Sequence, residues 1–316
     1  MAKKDTVRIG VIGVGYVAKN NFLPVLPQFD DVEFVGLMAR NVENAKRAQR
    51  MCGAQHVVGT IEELVDLGLD AAFVLTPKQC HAEQISFLLN AGVDVYSEKP
   101  MATTLSDAAK IAELSEKTGR KLMIGFNRRY APVCQKAKEI YTDRVPDVII
   151  GQKNRPQTEY HATLENAVHI VDLMRFFGGE VDKVDAISKF TDPDYETFTT
   201  AQLHFTNGAA GLLIADRSAG QWEETIEIHG GSRSVLIKMP DSVAVTDAEA
   251  THITEMTPLA SGWAQSPDKL GFTNAIRHFL DCVKEDKTPM TNAADAFKTH
   301  ELLDRILRSA GLPGME

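Results

Sequence analysis

The chain has 316 residues and a formal net charge of −9 at pH 7, with 44% hydrophobic and 24% charged residues. These fractions are those of an ordinary soluble globular protein, and they exclude disordered, collagen-like and disulfide-scaffold classes. The negative charge and the scattered Lys and Arg residues argue against nucleic acid as a partner. A chain of this length exceeds the usual size of one hydrophobic core, so we expect two domains.

The first 126 residues alternate short β-branched segments with longer segments of helical periodicity. This alternation is typical of a parallel sheet with helices on both faces. The predicted strands are Val7 to Ile12, Glu33 to Met38, Ala71 to Leu75, Asp94 to Ser97 and Lys121 to Gly125. We therefore predict an α/β Rossmann domain with a doubly wound parallel sheet over residues 1–126.

After Arg128 the pattern changes to several apolar-alternating segments, with Asn207-Gly208 and Gly230-Gly231 between them. Such segments, when no helix separates them, favour antiparallel strands joined by tight turns. A helix is predicted from Leu164 to Phe177 and two more near the end of the chain. We assign residues 127–316 to an α+β substrate-binding and oligomerisation domain with a large, mostly antiparallel open sheet.

The cysteines and the apolar segments bear on location. The four cysteines, at positions 52, 80, 134 and 282, have the spacing of free thiols in a reducing compartment, and we expect no metal site. Glycines interrupt the apolar run after Lys4, so we interpret it as a buried strand and not a signal peptide. No stretch approaches the roughly 20 apolar residues of a membrane-spanning helix. We expect a cytoplasmic protein without a membrane partner.

The string Gly13-Val14-Gly15-Tyr16-Val17-Ala18 follows the first predicted strand and opens a helical segment. In that context a Gly-x-Gly-x-x-Gly/Ala string indicates a dinucleotide site, to which we also assign Tyr16 and Val17. Gly13 permits a tight turn, and Gly15 lets a pyrophosphate approach the backbone. The helix N-terminus would face the phosphates. A purely structural glycine turn is the alternative, and the βαβ context favours NAD(P) over it.

The end of the second predicted strand bears on the choice between NAD and NADP. The acidic residue that binds the adenosine ribose in NAD enzymes is missing there. Ala39 occupies its expected position, and Arg40 follows. A guanidinium can pair with a ribose 2′-phosphate, so these residues slightly favour NADP. Alternatively, Arg40 is a solvated loop residue or stacks on the adenine of either cofactor.

Further motifs follow along the chain, namely Thr76-Pro77 with His81, Glu98-Lys99-Pro100, the segment from Gly125 to Tyr130, and His169 with Asp172. With the glycine string they resemble the glucose-fructose oxidoreductase/inositol dehydrogenase (Gfo/Idh/MocA) family, and the resemblance spans the chain. It implies an NAD(P)-dependent dehydrogenase or reductase acting on a CH–OH group of a sugar, polyol or related small molecule. It also implies a homodimer or homotetramer formed through the open sheet.

The resemblance also implies roles for individual residues. Lys99 is expected to be a catalytic or substrate-orienting lysine, in a turn whose peptide bond before Pro100 is commonly cis. The remaining residues of these motifs that we assign to cofactor binding are Thr76, Pro77, His81, Glu98 and Asn127.

Glu165, His169 and Asp172 are spaced to lie on one face of a helix. A histidine flanked by carboxylates is suited to act as a general base. We therefore predict Lys99 and His169 as a catalytic pair, Glu165 as a catalytic carboxylate and Asp172 as a substrate ligand. The family usually has Asp where this chain has Glu165, a departure that bears on the distance from carboxylate to substrate.

Arg155, Tyr160 and His161 lie between the first strand of the second domain and this helix. They are candidates for substrate binding, with a solvated loop as the alternative. Two other functions stay open. One is a non-catalytic nucleotide-binding sensor or regulator, against which Lys99 and His169 argue because a pure binder needs neither. The other is a glycoside-processing enzyme that uses tightly bound NAD as a transient oxidant.

Overall fold

The computed structural model describes residues 5–142, 144–156, 161–190 and 195–316. The chain divides into two compact units. The first comprises Met1–Asn127 and Phe272–Lys298, and the second comprises Arg128–Gly271 and Thr299–Glu316. These units differ from the predicted division, 1–126 and 127–316, chiefly in the segment Phe272–Lys298, which belongs with the first unit.

A sheet of six parallel strands forms the centre of the first unit. Its strands are β1 (Val7–Ile12), β2 (Val32–Met38), β3 (His56–Val58), β4 (Ala71–Val74), β5 (Asp94–Ser97) and β6 (Leu122–Ile124), with helices α1 (Val42–Cys52), α2 (Ile61–Val65), α3 (His81–Asn90) and α4 (Leu105–Thr118). The strand order is β3-β2-β1-β4-β5-β6. This order confirms the predicted Rossmann sheet. The short β3 was not predicted, since three residues show no recognisable alternation.

The second unit contains a sheet of eight strands. They are β7 (Val148–Pro156), β8 (Val181–Phe190), β9 (Glu196–Phe205), β10 (Ala210–Asp216), β11 (Ser218–Gly230), β12 (Arg233–Lys238), β13 (Ser242–Thr246) and β14 (Thr251–Glu255). The order is β14-β13-β12-β11-β7-β10-β9-β8, and only the neighbours β7 and β10 are parallel. The predicted mostly antiparallel sheet is therefore confirmed. The exposed, polar β14 was missed.

The helices of the second unit are α5 (Pro132–Ile140), α6 (Val168–Gly178) and α7 (Ser266–Lys269), and a π-helical segment, Ala162–Ala167, leads directly into α6. Two longer helices follow, α8 (Phe272–Glu285) and α9 (Ala293–Ser309). Short 3-10 turns lie at Leu26–Gln28, Lys78–Cys80, Asn127–Tyr130 and Leu259–Ser261.

Helix α8 belongs to the core of the first unit because its aromatic residues pack on the sheet. The ring of Phe279 meets Phe73 of β4 and Tyr96 of β5 edge to face, with centroids 5.5 and 5.8 Å apart. All three residues are fully buried. Such pairs contribute about 0.5–1.5 kcal/mol each beyond the burial of their area. The helical spacing of the apolar residues in α8 indicates that one face of the helix is buried, but it does not indicate which sheet covers that face.

Ion pairs hold the same helix. Asp31, just before β2, lies 2.7 Å from Arg277 and 2.7 Å from Lys284 of α8. The hydrogen bond from Arg277 is the main cause that lowers the pKa of Asp31 to about 2, against an opposing effect of burial. Asp31 is therefore ionised at neutral pH and pairs with both cations.

Helix α6 lies directly on β7 in the second unit. A Cβ added to Gly151 of β7 would lie 2.7 Å from Ile170 and 2.9 Å from Met174, so the missing side chain permits this close approach. The buried Asp172 accepts hydrogen bonds from Arg129 at 2.8 and 2.6 Å and from the Thr299 hydroxyl at 3.0 Å. Packing and ion pair together fix the helix that carries His169.

A second buried carboxylate lies between two cations. Glu224 of β11 is 2% exposed and accepts hydrogen bonds from Arg128, at 2.9 and 3.2 Å, and from Lys153. Burial by itself raises the pKa of Glu224, but the two cations outweigh it and lower the pKa to about 2. Because this pKa lies below the ordinary value of 4.5, the carboxylate stabilises the folded state at neutral pH.

Within the described ranges, no helix is both long enough and apolar enough to cross a membrane. The same residues contain no group of three or more His, Cys, Asp or Glu side chains that could hold a metal ion. The four cysteines are free thiols; Cys80 is half-buried and the other three are buried.

Replacing Glu224 by Gln should lower the free energy of unfolding at pH 7 by about 3–5 kcal/mol, because it leaves two buried cations without their counter-ion. Glu227→Gln, on the same strand but 44% exposed, is the matched control and should change it by less than about 0.5 kcal/mol. Urea unfolding measures both.

The effect of Glu224→Gln should also depend on pH. As the pH falls from about 4.5 towards 2, Glu224 of the wild type becomes protonated in the unfolded chain before it does so in the folded one, so the difference between wild type and variant should shrink. A variant as stable as the wild type at pH 7 contradicts the assignment of this cluster.

Candidate cofactor and catalytic site

A cavity of about 580 Å³ opens where β1, β2 and β4 end. This volume is in the range of about 300–1,000 Å³ that is usual for small-molecule and cofactor sites. Six of the predicted cofactor-binding residues line it, namely Gly13, Gly15, Ala39, Arg40, Thr76 and Pro77. Four polar or thiol residues that were not predicted to belong to the site line it as well, namely Asn41, Asn44, Cys80 and Gln84. The structure thus brings three distant sequence motifs to one wall.

The two glycines of the first turn have different roles. Gly13 has a φ of +95°, and a Cβ there would lie 2.8 Å from the carbonyl oxygen of Leu75. The turn therefore requires glycine for its conformation and for its approach to the chain after β4. A Cβ on Gly15 would have no protein atom within 4 Å. Gly15 thus offers bare backbone to the cavity, as the pyrophosphate of a dinucleotide requires.

The helical segment after this turn is short. It ends in a π-helical segment, Ala18–Phe22, and Pro24 follows soon after. Tyr16 and Val17 at its start are 82% and 36% exposed, and neither belongs to the cavity wall that the described residues form. The glycine turn itself, rather than a long helix, provides the backbone groups nearest the cavity.

Polar groups gather where β2 ends. Arg40 is exposed and lines the cavity, and Asn41 begins α1 as its N-cap. The Asn41 side chain accepts a hydrogen bond of 3.1 Å from the backbone N–H of Asn44. A guanidinium beside the positive end of a helix dipole suits an anionic ligand group.

His81 joins two turns. Its Nδ1 lies 2.7 Å from the carbonyl oxygen of Pro100, and its Nε2 lies 2.9 Å from that of Thr76. The residue is 1% exposed, and burial is the main cause that lowers its pKa, with the charge of Lys99 adding to the effect. Both ring nitrogens of His81 therefore bind protein carbonyls, and its assignment to cofactor binding stays a prediction. The Lys99–Pro100 peptide bond is cis, as the resemblance implied.

Two further predicted cofactor residues lie beyond β5 and β6. Glu98 is half-buried, and its backbone N–H donates to the Val74 carbonyl at 2.9 Å. Asn127 is 1% exposed. Among the residues that the structure describes, neither Glu98 nor Asn127 lines the cavity.

In the second unit, His161, Glu165 and His169 follow one another at intervals of four residues. Glu165 lies in the π-helical segment, and its Oε2 accepts a hydrogen bond of 3.1 Å from the backbone N–H of His161. His169 is half-buried in the first turn of α6. The predicted α-helical face is therefore interrupted, because a π-helix has a wider turn than an α-helix.

The remaining predicted substrate ligands have different surroundings. Both oxygens of Asp172 accept hydrogen bonds within the second unit, and its side chain is 1% exposed, so it is placed as part of the core. Arg155 is exposed near the end of β7. Tyr160 lies outside the described residues.

Glu196 of β9 is a further charged residue beside these candidates, and it was not predicted from the sequence. Its carboxylate lies 2.9 Å from Nδ1 of His161 and accepts a hydrogen bond of 2.8 Å from the backbone N–H of Thr163. Burial by itself raises the pKa of Glu196, but these hydrogen bonds outweigh it and lower the pKa. Glu196 and His161 are 35 residues apart, so no local pattern indicates the pair.

The two glycines provide a test of the cavity. Gly15→Ala should leave the melting temperature unchanged and weaken NADPH and NADH binding by about 10-fold or more, because its methyl group meets only the ligand. Gly13→Ala should also destabilise the protein, by about 1–2 kcal/mol or more, because its φ is positive and the Leu75 carbonyl is close. Calorimetric titration and thermal melts measure both. Unchanged affinity in Gly15→Ala argues against this cavity as the cofactor site.

Comparison with known proteins places this geometry in a family. Residues 7–126 match the model described as "Oxidoreductase family, NAD-binding Rossmann fold", and residues 141–235 match the GFO/IDH/MocA C-terminal domain. A putative oxidoreductase, YceM, of Salmonella typhimurium is 26% identical, over 96% of this chain and 98% of its own. The scyllo-inositol 2-dehydrogenase (NAD(+)) of Bacillus subtilis is 25% identical, over 74% of this chain and 73% of its own.

A solved structure shows the same architecture over nearly the whole chain. The dehydrogenase MviM from Clostridium difficile superimposes with a TM-score of 0.87 at 25% identity, covering 96% of this chain and 99% of its own. The six-stranded parallel sheet and the eight-stranded, mostly antiparallel sheet agree with these matches. The chain belongs to the Gfo/Idh/MocA family and is an NAD(P)-dependent dehydrogenase or reductase.

Proposed function

We propose that the chain transfers a hydride reversibly between NAD(P) and a carbinol carbon of a sugar, polyol or related small molecule. The observation that carries the proposal is the buried ring of His81, hydrogen-bonded to carbonyls of both the Thr76-Pro77 turn and the Lys99-Pro100 turn. The first turn lines the cavity, and His81 joins to it the turn that contains Lys99, which supports a place for Lys99 near a bound cofactor. The relative named as a scyllo-inositol 2-dehydrogenase supports a polyol as the class of substrate.

In this proposal Lys99 and His169 have different catalytic roles. A nicotinamide bound in the cavity would supply the hydride acceptor for the oxidation. Lys99 donates a hydrogen bond to the substrate oxygen and stabilises the alkoxide charge that develops on it. His169 takes the hydroxyl proton as general base. The C–H and O–H bonds of the carbinol break, and a carbonyl forms.

The other predicted site residues have supporting roles in the proposal. Glu165 is the carboxylate one turn before His169 and adjusts the charge near its imidazole. Arg155 and His161 are candidates for substrate binding. Tyr160 is a third candidate, which the sequence alone supports. Asp172 holds α6 through Arg129, so we assign it to positioning His169 in place of binding substrate.

The catalytic pair is tested with Lys99→Met and His169→Asn. Each should lower kcat by about 100-fold to 10,000-fold, the usual contribution of a positioned acid–base group, with little change in the KM for the cofactor. Nicotinamide absorbance with myo-inositol, scyllo-inositol, xylitol and D-glucose measures turnover. Lys110→Met, whose side chain is 71% exposed, and His229→Asn, at 38%, are the controls. Near wild-type kcat in either site variant removes that residue from the proposed pair.

We also propose that the cavity prefers NADP over NAD. Arg40 provides a guanidinium beside the capped N-terminus of α1, and in the sequence no acidic residue stands at Ala39 to repel a 2′-phosphate. Both features suit a phosphorylated ribose more than a free hydroxyl.

Arg40→Ala should lower the ratio of kcat/KM for NADP to that for NAD by about 10-fold to 100-fold, because one charge-assisted contact is lost. Arg47→Ala is the matched control, since Arg47 is exposed on the same α1 but is not part of the described cavity wall. An unchanged ratio in Arg40→Ala means that Arg40 does not select the cofactor.

The open sheet supports the proposed homodimer or homotetramer. Ile187 of β8 and Leu212 of β10 are 65% and 46% exposed, and the strand register places Ile187, Thr200 and Ile214 side by side on one face. Exposed apolar side chains gathered on one face are typical of an interaction surface. The cytoplasmic location stays a prediction.

A further inference from the structure

The pair formed by His161 and Glu196 has the geometry of an oriented histidine. The distance from Nδ1 to Oε2 is 2.9 Å, and the side chain of Glu196 is 2% exposed while that of His161 is 43% exposed. The hydrogen bonds that Glu196 accepts lower its pKa, so it is ionised at neutral pH and can only accept. Nδ1 of His161 therefore carries the proton, and Nε2 is the acceptor of the neutral ring.

Both oxygen atoms of the Glu196 carboxylate accept hydrogen bonds. Oε2 accepts from His161, while Oε1 accepts from the backbone N–H of Thr163, at the start of the π-helical segment Ala162–Ala167. At the same end, Glu165 accepts from the backbone N–H of His161. Two carboxylates thus hold the beginning of the segment that leads to His169. Such π-helical segments are frequent at functional sites.

The backbone around Glu196 is held as well. Arg217 donates to the carbonyl of Glu196 at 2.8 Å and to that of Tyr195 at 3.2 Å. The Tyr195 ring meets the imidazole of His161 edge to face, with centroids 5.1 Å apart. The ring of His161 is therefore fixed on two sides, by a carboxylate and by an aromatic ring.

An ordinary surface pair in the same sheet shows the difference. His204 lies 3.5 Å from Asp185, and their side chains are 44% and 53% exposed. The carboxylate of Asp185 stays in contact with water, whereas that of Glu196 is buried. Burying a carboxylate is costly unless its hydrogen bonds are satisfied, so such a pair is built for a fixed geometry.

We propose that Glu196 is a positioning residue that holds His161 with Nε2 as the acceptor for a hydroxyl group of the sugar or polyol substrate. This inference rests on the proposed function and adds to it a second histidine, at the opposite end of the helical segment from His169. The contact is a binding contact, since the proton of the reacting carbinol is assigned to His169.

The tautomer of His161 is the first test, and it needs no turnover. In the full chain labelled with ¹⁵N-histidine, wild-type His161 should show the Nδ1–H tautomer at neutral pH. In Glu196→Gln the amide oxygen should accept from Thr163, which places the NH₂ group against Nδ1 and moves the ring proton to Nε2. His204 should not change. A mixed tautomer in the wild type, or no change in the variant, overturns the role of Glu196.

Substrate affinity is the second test. His161→Asn keeps a residue that caps helices well, and Glu196→Gln keeps the shape of the side chain. Both should raise the KM for the polyol that is turned over by about 10-fold, the effect of one lost or reversed hydrogen bond, with kcat and the KM for NADP nearly unchanged. His204→Asn should leave all three constants at wild-type values. An unchanged KM for the polyol in His161→Asn overturns the proposal while the proposed function stands.

A titration with 100 mM myo-inositol and NADPH separates the two ideas. Shifts of the His161 imidazole signals larger than those of His204, without turnover of any of the four compounds, support the binding role and contradict the proposed oxidoreductase substrate class. If no compound is turned over and no imidazole signal shifts, the binding role of His161 and the proposed function are both contradicted.

Discussion

Parallel strand pairing is the constraint on which the first unit depends. Strands β1, β2, β4 and β5 run in the same direction, so the chain leaves all of them at one edge of the sheet. Gly13, Arg40 and Thr76 become neighbours there, although they are far apart in sequence. The ring of His81 then attaches the turn that contains Lys99. The cavity is thus a consequence of strand order, and each motif provides one part of its wall.

Buried carboxylates have a similar organising role in the second unit. Asp172, Glu196 and Glu224 are each 2% exposed or less, and each accepts hydrogen bonds from cations or backbone N–H groups. An ionised carboxylate is stable in such surroundings only when its partners are held in place. Asp172 fixes α6 against Arg129, and Glu196 fixes the start of the segment before it. The helical segment that carries Glu165 and His169 is therefore held from both ends.

The site could be predicted from sequence where its residues act through local geometry. The glycine turn and Arg40, which the sequence assigned to cofactor binding, line the cavity, because a turn conformation and its place after a strand are encoded in a few consecutive residues. His81 and Asp172 belong to equally clear motifs but are buried among protein groups. A motif shows which residue types occur together, and it does not show which of them face a ligand. The π-helical segment before α6 likewise changed the alignment that an α-helical spacing predicted.

The sequence by itself determined the two kinds of sheet, the position of the glycine turn and the residue types of the motifs that follow it. These follow from periodicity, turn residues and side-chain type, all of which act over a few residues. Only the tertiary structure decided that α8 packs with the first unit, that Glu196 pairs with His161 and that Glu224 pairs with Arg128. Those partners are tens of residues apart, and their pairing depends on strand order and burial, which are properties of the folded chain as a whole.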